Sequence, residues 1–229
     1  MFIHENNYKP FPELQTIKYN GMRFYETPEG LKYPSITTVI DKQRAKSDSL
    51  QKWRERVGEE QARLITRKAA QRGTAFHHIC EDYINNKDIQ DHKGKNFLSW
   101  CMFGEMKSHI DDSVGKVLMQ EQPMFSDNYQ VAGRCDLIGE YNDSLAVIDF
   151  KTTTTEKKEE WITDYFVQAT AYAKMFEEHT KMPVDKVVIM MVSENATVQV
   201  WEKDAKDYVE RLKEIVDSFY DIVVSEIHK

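Results

Sequence analysis

The run Leu145-Ala-Val-Ile-Asp-Phe-Lys151 constrains the fold more than any other segment of this 229-residue chain. Four apolar residues, then an acid, an aromatic residue and a base before a Thr-rich exit, predict a short buried strand. Because side chains alternate along a strand, Asp149 and Lys151 should share one face, with Phe150 on the other. Ionisable groups beside a core are costly unless they have a partner or a function. This strand is therefore predicted to carry the chemistry of the protein.

A second candidate strand spans residues 129–140, and the turn-forming residues Asn142-Asp143-Ser144 follow it. If the hairpin turns about Asn142 and Asp143, residues whose numbers sum to 285 face each other, so Asp136 should lie opposite Asp149. Two facing carboxylates repel each other, unless a hard divalent cation lies between them. Two acids and a lysine at one strand end are the groups that metal-dependent phosphodiester cleavage needs.

Composition predicts an ordinary globular protein, with 41% apolar and 30% charged residues. We expect one domain over residues 1–229, with an N-terminal hairpin and basic helical elaboration (1–72) and a catalytic core (73–229). The three cysteines are widely spaced and form no CxxC pair, and no signal-peptide pattern or membrane-length apolar run is visible. These features predict a cytoplasmic protein, in the host cytoplasm if the chain is viral.

The segment 42–72 has a net positive charge in a chain that is negative overall. Its ten basic residues and four acids give +6, which leaves −13 for the rest of a chain whose net charge is −7. One interpretation is a solvated helical face with salt bridges, and the other is a phosphate-binding surface. The position of the segment, just before the histidine motif described below, favours the second.

Periodicity and turn signals predict the remaining elements. A hairpin turns at Asn20-Gly21, Ser35 caps a helix, and a helical stretch over 48–85 breaks near Val57-Gly58 and again at Arg72-Gly73. The other predicted elements are helices at 96–112, 160–179 and 205–227, and strands at 115–125, 129–140, 145–151, 184–193 and 197–202. This order predicts an α/β (α+β) fold with a mixed central sheet flanked by helices.

His77 and Glu81 are four residues apart in the helix predicted to open at Gly73, so they share a face. A neutral imidazole ligates divalent metals well, and Glu81 could orient the ring. Taken alone, His77 is more often a surface histidine than a ligand.

Two other polar segments, Thr152 to Thr155 and the pair Gln168 and Tyr172, are each open to two interpretations. Thr152 belongs either to a polar loop or to a phosphate contact. Gln168 and Tyr172, four apart on the next helix, either lie over the site or belong to the core stripe of that helix.

In chain order the sequence reads G-x-x-x-H (73–77), G-x-x-D (133–136), D-x-K (149–151) and Q-x-x-x-Y (168–172). This combination resembles the RecB-like branch of the PD-(D/E)xK nuclease superfamily, which has a restriction-endonuclease-like core. Together with Tyr33-Pro-Ser-Ile-Thr-Thr38 and a basic helix containing Trp53, it is similar to the mitochondrial genome maintenance exonuclease group and to small phage and bacterial exonucleases.

The resemblance implies roles for individual residues. Lys151, Asp149, Asp136 and Glu81 would be catalytic. His77, Asp136, Asp149 and the main-chain carbonyl of Phe150 would bind Mg²⁺ or Mn²⁺. Trp53, Phe76 or Tyr172 could stack on bases. The full set of residues assigned to DNA binding is Ser35, Thr37, Trp53, Arg72, Thr74, Arg134, Thr152, Gln168 and Tyr172.

The implied function is a divalent-metal-dependent DNA exonuclease that prefers single-stranded ends. It would act in recombination, repair or replication, with proteins of those processes as partners. Two alternatives stay open: a flap or structure-specific endonuclease, and a non-catalytic DNA-binding module on a nuclease scaffold. The cysteines that hold an iron–sulfur cluster in some relatives are missing, which argues against the cluster-bearing branches.

Overall fold

The computed structural model describes residues 1–5, 8–44 and 48–227, without the side chains of residues 48–50 and 224–227. Two short 3-10 turns span Glu159–Trp161 and Ala205–Tyr208. The helices and strands are β1 (Gln15–Tyr19), β2 (Met22–Glu26), β3 (Lys32–Pro34), α1 (Ile36–Arg44), α2 (Asp48–Val57), α3 (Glu59–Ile84), α4 (His92–Lys95), α5 (Phe97–Ser113), β4 (Val114–Ser126), β5 (Val131–Tyr141), β6 (Ser144–Thr153), α6 (Thr163–Thr180), β7 (Lys186–Ser193), β8 (Val198–Asp204) and α7 (Val209–Ile227).

The central sheet has the order β4-β5-β6-β7-β8 and is mixed, because β6 and β7 are parallel while the other neighbours are antiparallel. Helices α1, α6 and α7 cover one face, and α3 and α5 cover the other. This arrangement confirms the predicted mixed sheet flanked by helices. Strand β3 and helix α4 were not predicted, because elements of three or four residues are too short to show periodicity.

The β5–β6 hairpin has the predicted register. Its pairs run from Leu137↔Ile148 to Tyr141↔Ser144, so the paired residue numbers sum to 285. Asn142 and Asp143 adopt φ of 47° and 64°, the conformation of a tight two-residue hairpin turn.

The alternation of side chains along β6 is also as predicted. Phe150 packs with Phe76 in the core under α3 and α5. Val147 lies in the opposite core, under α6. Asp149 and Lys151 share the face of Val147, since side chains two residues apart point the same way.

A three-stranded sheet, β1-β2-β3, precedes the central one. It begins with the predicted hairpin, in which Asn20 and Gly21 have positive φ. Ser35 ends this region and caps α1, because the Thr38 N–H donates to Ser35 Oγ at 3.1 Å. A bridge between Ser35 and Ala132 joins this region to β5, which places the start of α1 beside the central sheet.

Helix α3 corrects one prediction. It runs without interruption from Glu59 to Ile84, so the predicted break at Arg72-Gly73 is wrong, whereas the break at Gly58 is confirmed. A glycine inside a helix costs only about 1 kcal/mol. Burial of Arg72, Phe76 and Ile79 on the sheet side outweighs that cost.

The continuity of α3 has two consequences for the rest of the molecule. His77 sits within a long helix and not at the start of one. The helix also crosses position 72–73, so the expected division into elaboration and core does not fall at a break in the chain. Across the described residues, we find no helix with the length and apolarity needed to cross a membrane.

Candidate active site

Asp149 and Lys151 form a buried ion pair near the end of β6. Lys151 Nζ contacts Asp149 Oδ2, and Asp149 is only 1% exposed. The other oxygen, Asp149 Oδ1, has no hydrogen-bond partner among the described residues. A buried carboxylate oxygen without a partner is costly, so this atom is available to a ligand.

The charges of this pair follow from its burial and its neighbours. Burial raises the pKa of Asp149 to about 6, with Asp136 adding to the effect and Lys151 opposing it. Burial alone would lower the pKa of Lys151, but Asp149 and Asp136 outweigh it and raise that pKa. Lys151 is therefore an ammonium at neutral pH, which makes it a charge and hydrogen-bond donor and not a base.

Asp136 reaches β6 through its side chain. The regular β5–β6 pairs end at Leu137↔Ile148, and beyond them the Phe150 N–H donates to Asp136 Oδ2 at 2.8 Å. Asp136 Oδ1 lies 3.2 Å from His77 Nδ1. The Asp136 carboxylate thus joins α3 to the strand that carries the ion pair.

His77, Glu121 and Asp136 bring one ligand atom each to within 4.8 Å of one another. Each comes from a different element: α3, β4 and β5 respectively. An imidazole and two carboxylates are suitable donors for Mn²⁺ or Mg²⁺. Together with the unpartnered Asp149 Oδ1 nearby, this donor set fits a divalent cation.

Electrostatics support the same interpretation. Burial would raise the pKa of Asp136, but His77 outweighs it and the pKa is lowered, so Asp136 is ionised. Burial would lower the pKa of His77, but Asp136 outweighs it and raises that pKa. Burial, followed by Asp136, raises the pKa of Glu121 to about 7. Crowded carboxylates of this kind are stabilised by a bound cation.

Glu121 is the member of the cluster that sequence reasoning missed. In the β4–β5 ladder, Gln120 pairs with Leu137 and Gln122 with Cys135, which puts Glu121 opposite Asp136. Its φ of 50° is unusual for a residue other than glycine. The available signal was an acid within predicted strand 115–125, but its register against β5 was unknown.

Two predicted site residues lie outside this cluster: Glu81, which was predicted to be catalytic, and Asp149, which was predicted to be catalytic and a metal ligand. Glu81 pairs with His78 Nδ1 at 3.5 Å, although it shares the α3 face of His77 and lies close enough to affect Glu121. Asp149 lies beside the cluster and faces Lys151. The metal-binding roles of Asp149 and of the Phe150 carbonyl stay predictions.

Gln168 and Tyr172 meet on α6, as their spacing predicts, and Gln168 Nε2 donates to Tyr172 Oη at 3.1 Å. The Tyr172 ring is buried in the core under α6, and this burial, with a further contribution from the Asp149 charge, raises the pKa of Tyr172. Gly133 is required for this packing, since a Cβ there would lie 2.5 Å from Tyr172 Cε1. Tyr172 therefore belongs to the core and also borders the site.

Arg72 and Thr152 are engaged within the protein, in contrast to the predicted DNA contacts. Arg72 Nε donates to Thr152 Oγ1 at 3.2 Å, and Arg72 Nη1 contacts Glu194 Oε1. The Arg72 side chain is only 8% exposed. This network ties α3 to the exits of β6 and β7, so Arg72 has an intramolecular role.

The other predicted DNA contacts divide by exposure. Ser35 is buried as a helix cap, and Thr37 accepts a hydrogen bond from Arg23 Nη2 at 2.8 Å. Arg134 is exposed near Glu121, and its charge partly opposes the rise in the Glu121 pKa that burial causes. Phe76 is fully buried, so its suggested role in base stacking is wrong. Among the predicted DNA contacts, Thr74 and Arg134 are exposed, and four others are half-buried: Thr37, Trp53, Thr152 and Gln168.

The basic segment is exposed over most of its described length. Of its ten basic residues, Lys46 lies outside the described residues and Arg72 is buried. Arg44 forms an ion pair with Asp164 at 2.7 Å. The exposed basic side chains of α2 and of the first half of α3 are Lys52, Arg54, Arg56, Arg63, Arg67 and Lys68.

Comparison with known proteins identifies the family of the chain. The family model of the PD-(D/E)XK nuclease superfamily matches residues 24–225. The chain therefore belongs to the PD-(D/E)XK nuclease superfamily, as the four motifs predicted.

Individual relatives give the extent of the likeness. Mitochondrial genome maintenance exonuclease 1 of Homo sapiens is 27% identical over 148 residues, which cover 61% of this chain and 42% of that protein. A candidate exonuclease from Eubacterium rectale, known from a crystal structure, is 9% identical, with a TM-score of 0.49. In that comparison 67% of this chain and 66% of the other are covered. The chain thus spans less than half the length of its human relative.

Proposed function

We propose that this protein is a divalent-metal-dependent DNA exonuclease that acts on single-stranded ends. One observation carries the proposal: the buried Asp149–Lys151 pair lies beside the ligand cluster His77–Glu121–Asp136. Family membership supports phosphodiester hydrolysis. The similarity to a human exonuclease supports DNA ends as the substrate.

The residues have separate tasks in this proposal. The cation would be held by His77, Glu121 and Asp136. Asp149 lies beside this cluster and contacts Lys151. A divalent cation held there would polarise the scissile phosphate and activate water at neutral pH. Lys151, an ammonium, donates to the phosphate oxygens on which negative charge develops. Asp149 holds that ammonium in place, and Tyr165 covers it, with Lys151 Nζ 5.0 Å from the ring centroid.

Mg²⁺ is the ion we propose in the cell, and Mn²⁺ a good substitute, because an imidazole ligand favours the softer ion. The exposed basic side chains of α2 and α3 attract the strand without reading its sequence. Trp53 is partly exposed and Trp161 is 60% exposed, so both offer faces on which unpaired bases stack. Recombination, repair or replication in the cytoplasm is the setting we propose.

The decisive experiment is a time course on single strands labelled at the 5′ or the 3′ end, with Mg²⁺, Mn²⁺ or EDTA, alongside a circular strand. We expect cleavage of the linear strands with either ion, none in EDTA, and no cleavage of the circle. Cleavage of the circle would instead indicate an endonuclease.

Variants identify the groups responsible. Lys151→Ala and Asp149→Ala should abolish cleavage, and Lys151→Ala should still bind DNA. Lys186→Ala is the matched control, since Lys186 forms ion pairs with Glu202 and Asp204 at the opposite end of β7. Normal turnover by Asp149→Ala would contradict the proposal.

A further inference from the structure

Arg44, the last residue of α1, contacts the same aromatic ring as Lys151 does. The Arg44 Cζ atom is 5.6 Å from the ring centroid of Tyr165, and Lys151 Nζ is 5.0 Å from the same centroid. The two cations therefore lie within about 11 Å of each other. Tyr165 is on the first turn of α6, so this tyrosine brings α1 and the catalytic strand together.

The Arg44 guanidinium is fixed but still accessible. Its Nε donates to Asp164 Oδ2 at 2.7 Å, while the side chain remains 41% exposed. A guanidinium carries five N–H donors in a rigid plane, and the bond to Asp164 uses one of them. Such a held, partly exposed guanidinium suits the recognition of a phosphate.

The spacing suits a nucleic-acid strand. Phosphates of one strand repeat every ~3.4 Å along the axis of a duplex, so two cations no more than about 11 Å apart can reach phosphates that lie at most a few nucleotides from each other. Lys151 serves the scissile phosphate in the proposed function. A second cation on the same ring would then meet the backbone a short distance along the same strand.

We propose that Arg44 binds a substrate phosphate a few nucleotides from the scissile one and sets the register of the strand over Lys151. Asp164 and Tyr165 position the guanidinium for this contact. This inference rests on the proposed function. The competing interpretation is that Arg44 only ties α1 to α6, with Asp41 as a further acidic neighbour.

A scan with neutral linkages separates the two interpretations. Single-stranded substrates would each carry one methylphosphonate, placed in turn at every position near the cleavage point. The unmodified enzyme should lose about tenfold in kcat/KM when the phosphate that Arg44 contacts is neutral. On the unmodified strand, Arg44→Gln should also show a kcat/KM about tenfold below that of the unmodified enzyme. Neutralising that one linkage should not lower the kcat/KM of Arg44→Gln any further.

Two further variants keep the test sharp. Asp164→Asn leaves the Arg44 charge in place and should retain the sensitivity at that linkage. Arg211→Gln is the matched control, because Arg211 forms an exposed ion pair with Glu214 on α7, and it should leave the whole scan unchanged. If Arg44→Gln lowers the rate equally on every substrate and keeps the wild-type scan, the inference is overturned.

Binding in EDTA distinguishes failure of this inference from failure of the proposed function. The slope of log affinity against log salt should be less steep for Arg44→Gln by about 0.7, the value for one phosphate on a single strand. An enzyme that cleaves nothing but shows this change would refute the nuclease proposal and support the Arg44 contact. An unchanged slope would refute the contact, whatever the activity.

Discussion

The network of Arg72 makes a quantitative prediction about stability. The Arg72 side chain is 8% exposed, whereas the side chain of Glu194, its acidic partner, is 36% exposed. Arg72 Nε also donates to Thr152 Oγ1, and the Arg72 carbonyl accepts from Ser99 Oγ at 3.0 Å. The Arg72 side chain therefore connects α3 to the end of β6 and to the turn after β7, and its main-chain carbonyl connects α3 to the start of α5.

The magnitude depends on which charge is left behind. Breaking a fully buried pair costs about 3–5 kcal/mol, because the remaining ion is uncompensated. Arg72→Met leaves Glu194, which water can reach, so we expect a loss of about 2 kcal/mol. Glu194→Ala leaves the less exposed Arg72 charge and should cost more. For a chain of this size, each kcal/mol lowers Tm by roughly 2–4 °C.

The assay is urea unfolding in EDTA, so that metal binding does not add to stability. A double-mutant cycle with Arg72→Met, Glu194→Ala and the combined variant measures the coupling of the two side chains. Arg211→Met removes an exposed pair and should cost less than about 1 kcal/mol. The reasoning is refuted if Glu194→Ala is milder than Arg72→Met, or if both are as mild as Arg211→Met.

The remaining predictions concern packing and the metal cluster. Gly133→Ala should lower the free energy of unfolding in urea by about 1–3 kcal/mol, because its Cβ would overlap the Tyr172 ring. Gly104→Ala is the control and should not destabilise the protein, because a Cβ there meets no atom within 4 Å. Without metal, the free energy of unfolding should fall as pH rises from about 4.5 to about 7, because the folded state favours protonated Glu121; a profile of equal slope in Glu121→Gln would contradict this. Mn²⁺ titration by calorimetry should show at least roughly tenfold weaker binding for Glu121→Gln, and affinity should fall below pH 7 as Glu121 takes up a proton. Glu81→Gln is the control and should bind Mn²⁺ normally.

Local patterns in the sequence were enough to predict the β5–β6 hairpin. A run of four apolar residues predicted β6, and Asn142-Asp143 set the turn, so the register followed from positions close in the chain. The ion pair of Asp149 and Lys151 depends on the same two-residue period. Predicting the hairpin and the ion pair therefore does not require knowing how distant helices and strands pack together.

Tertiary packing decided the rest. Glu121 joins the ligand cluster only because β4 pairs with β5 in one register, and sequence periodicity does not specify pairing between distant strands. Helix α3 continues through Gly73 because its buried face packs on the sheet, which overrides the weak preference of one glycine. The ion pair of Arg72 with Glu194 also depends on the tertiary structure. The two residues are far apart in the sequence, and only folding of the chain brings the acid next to the guanidinium.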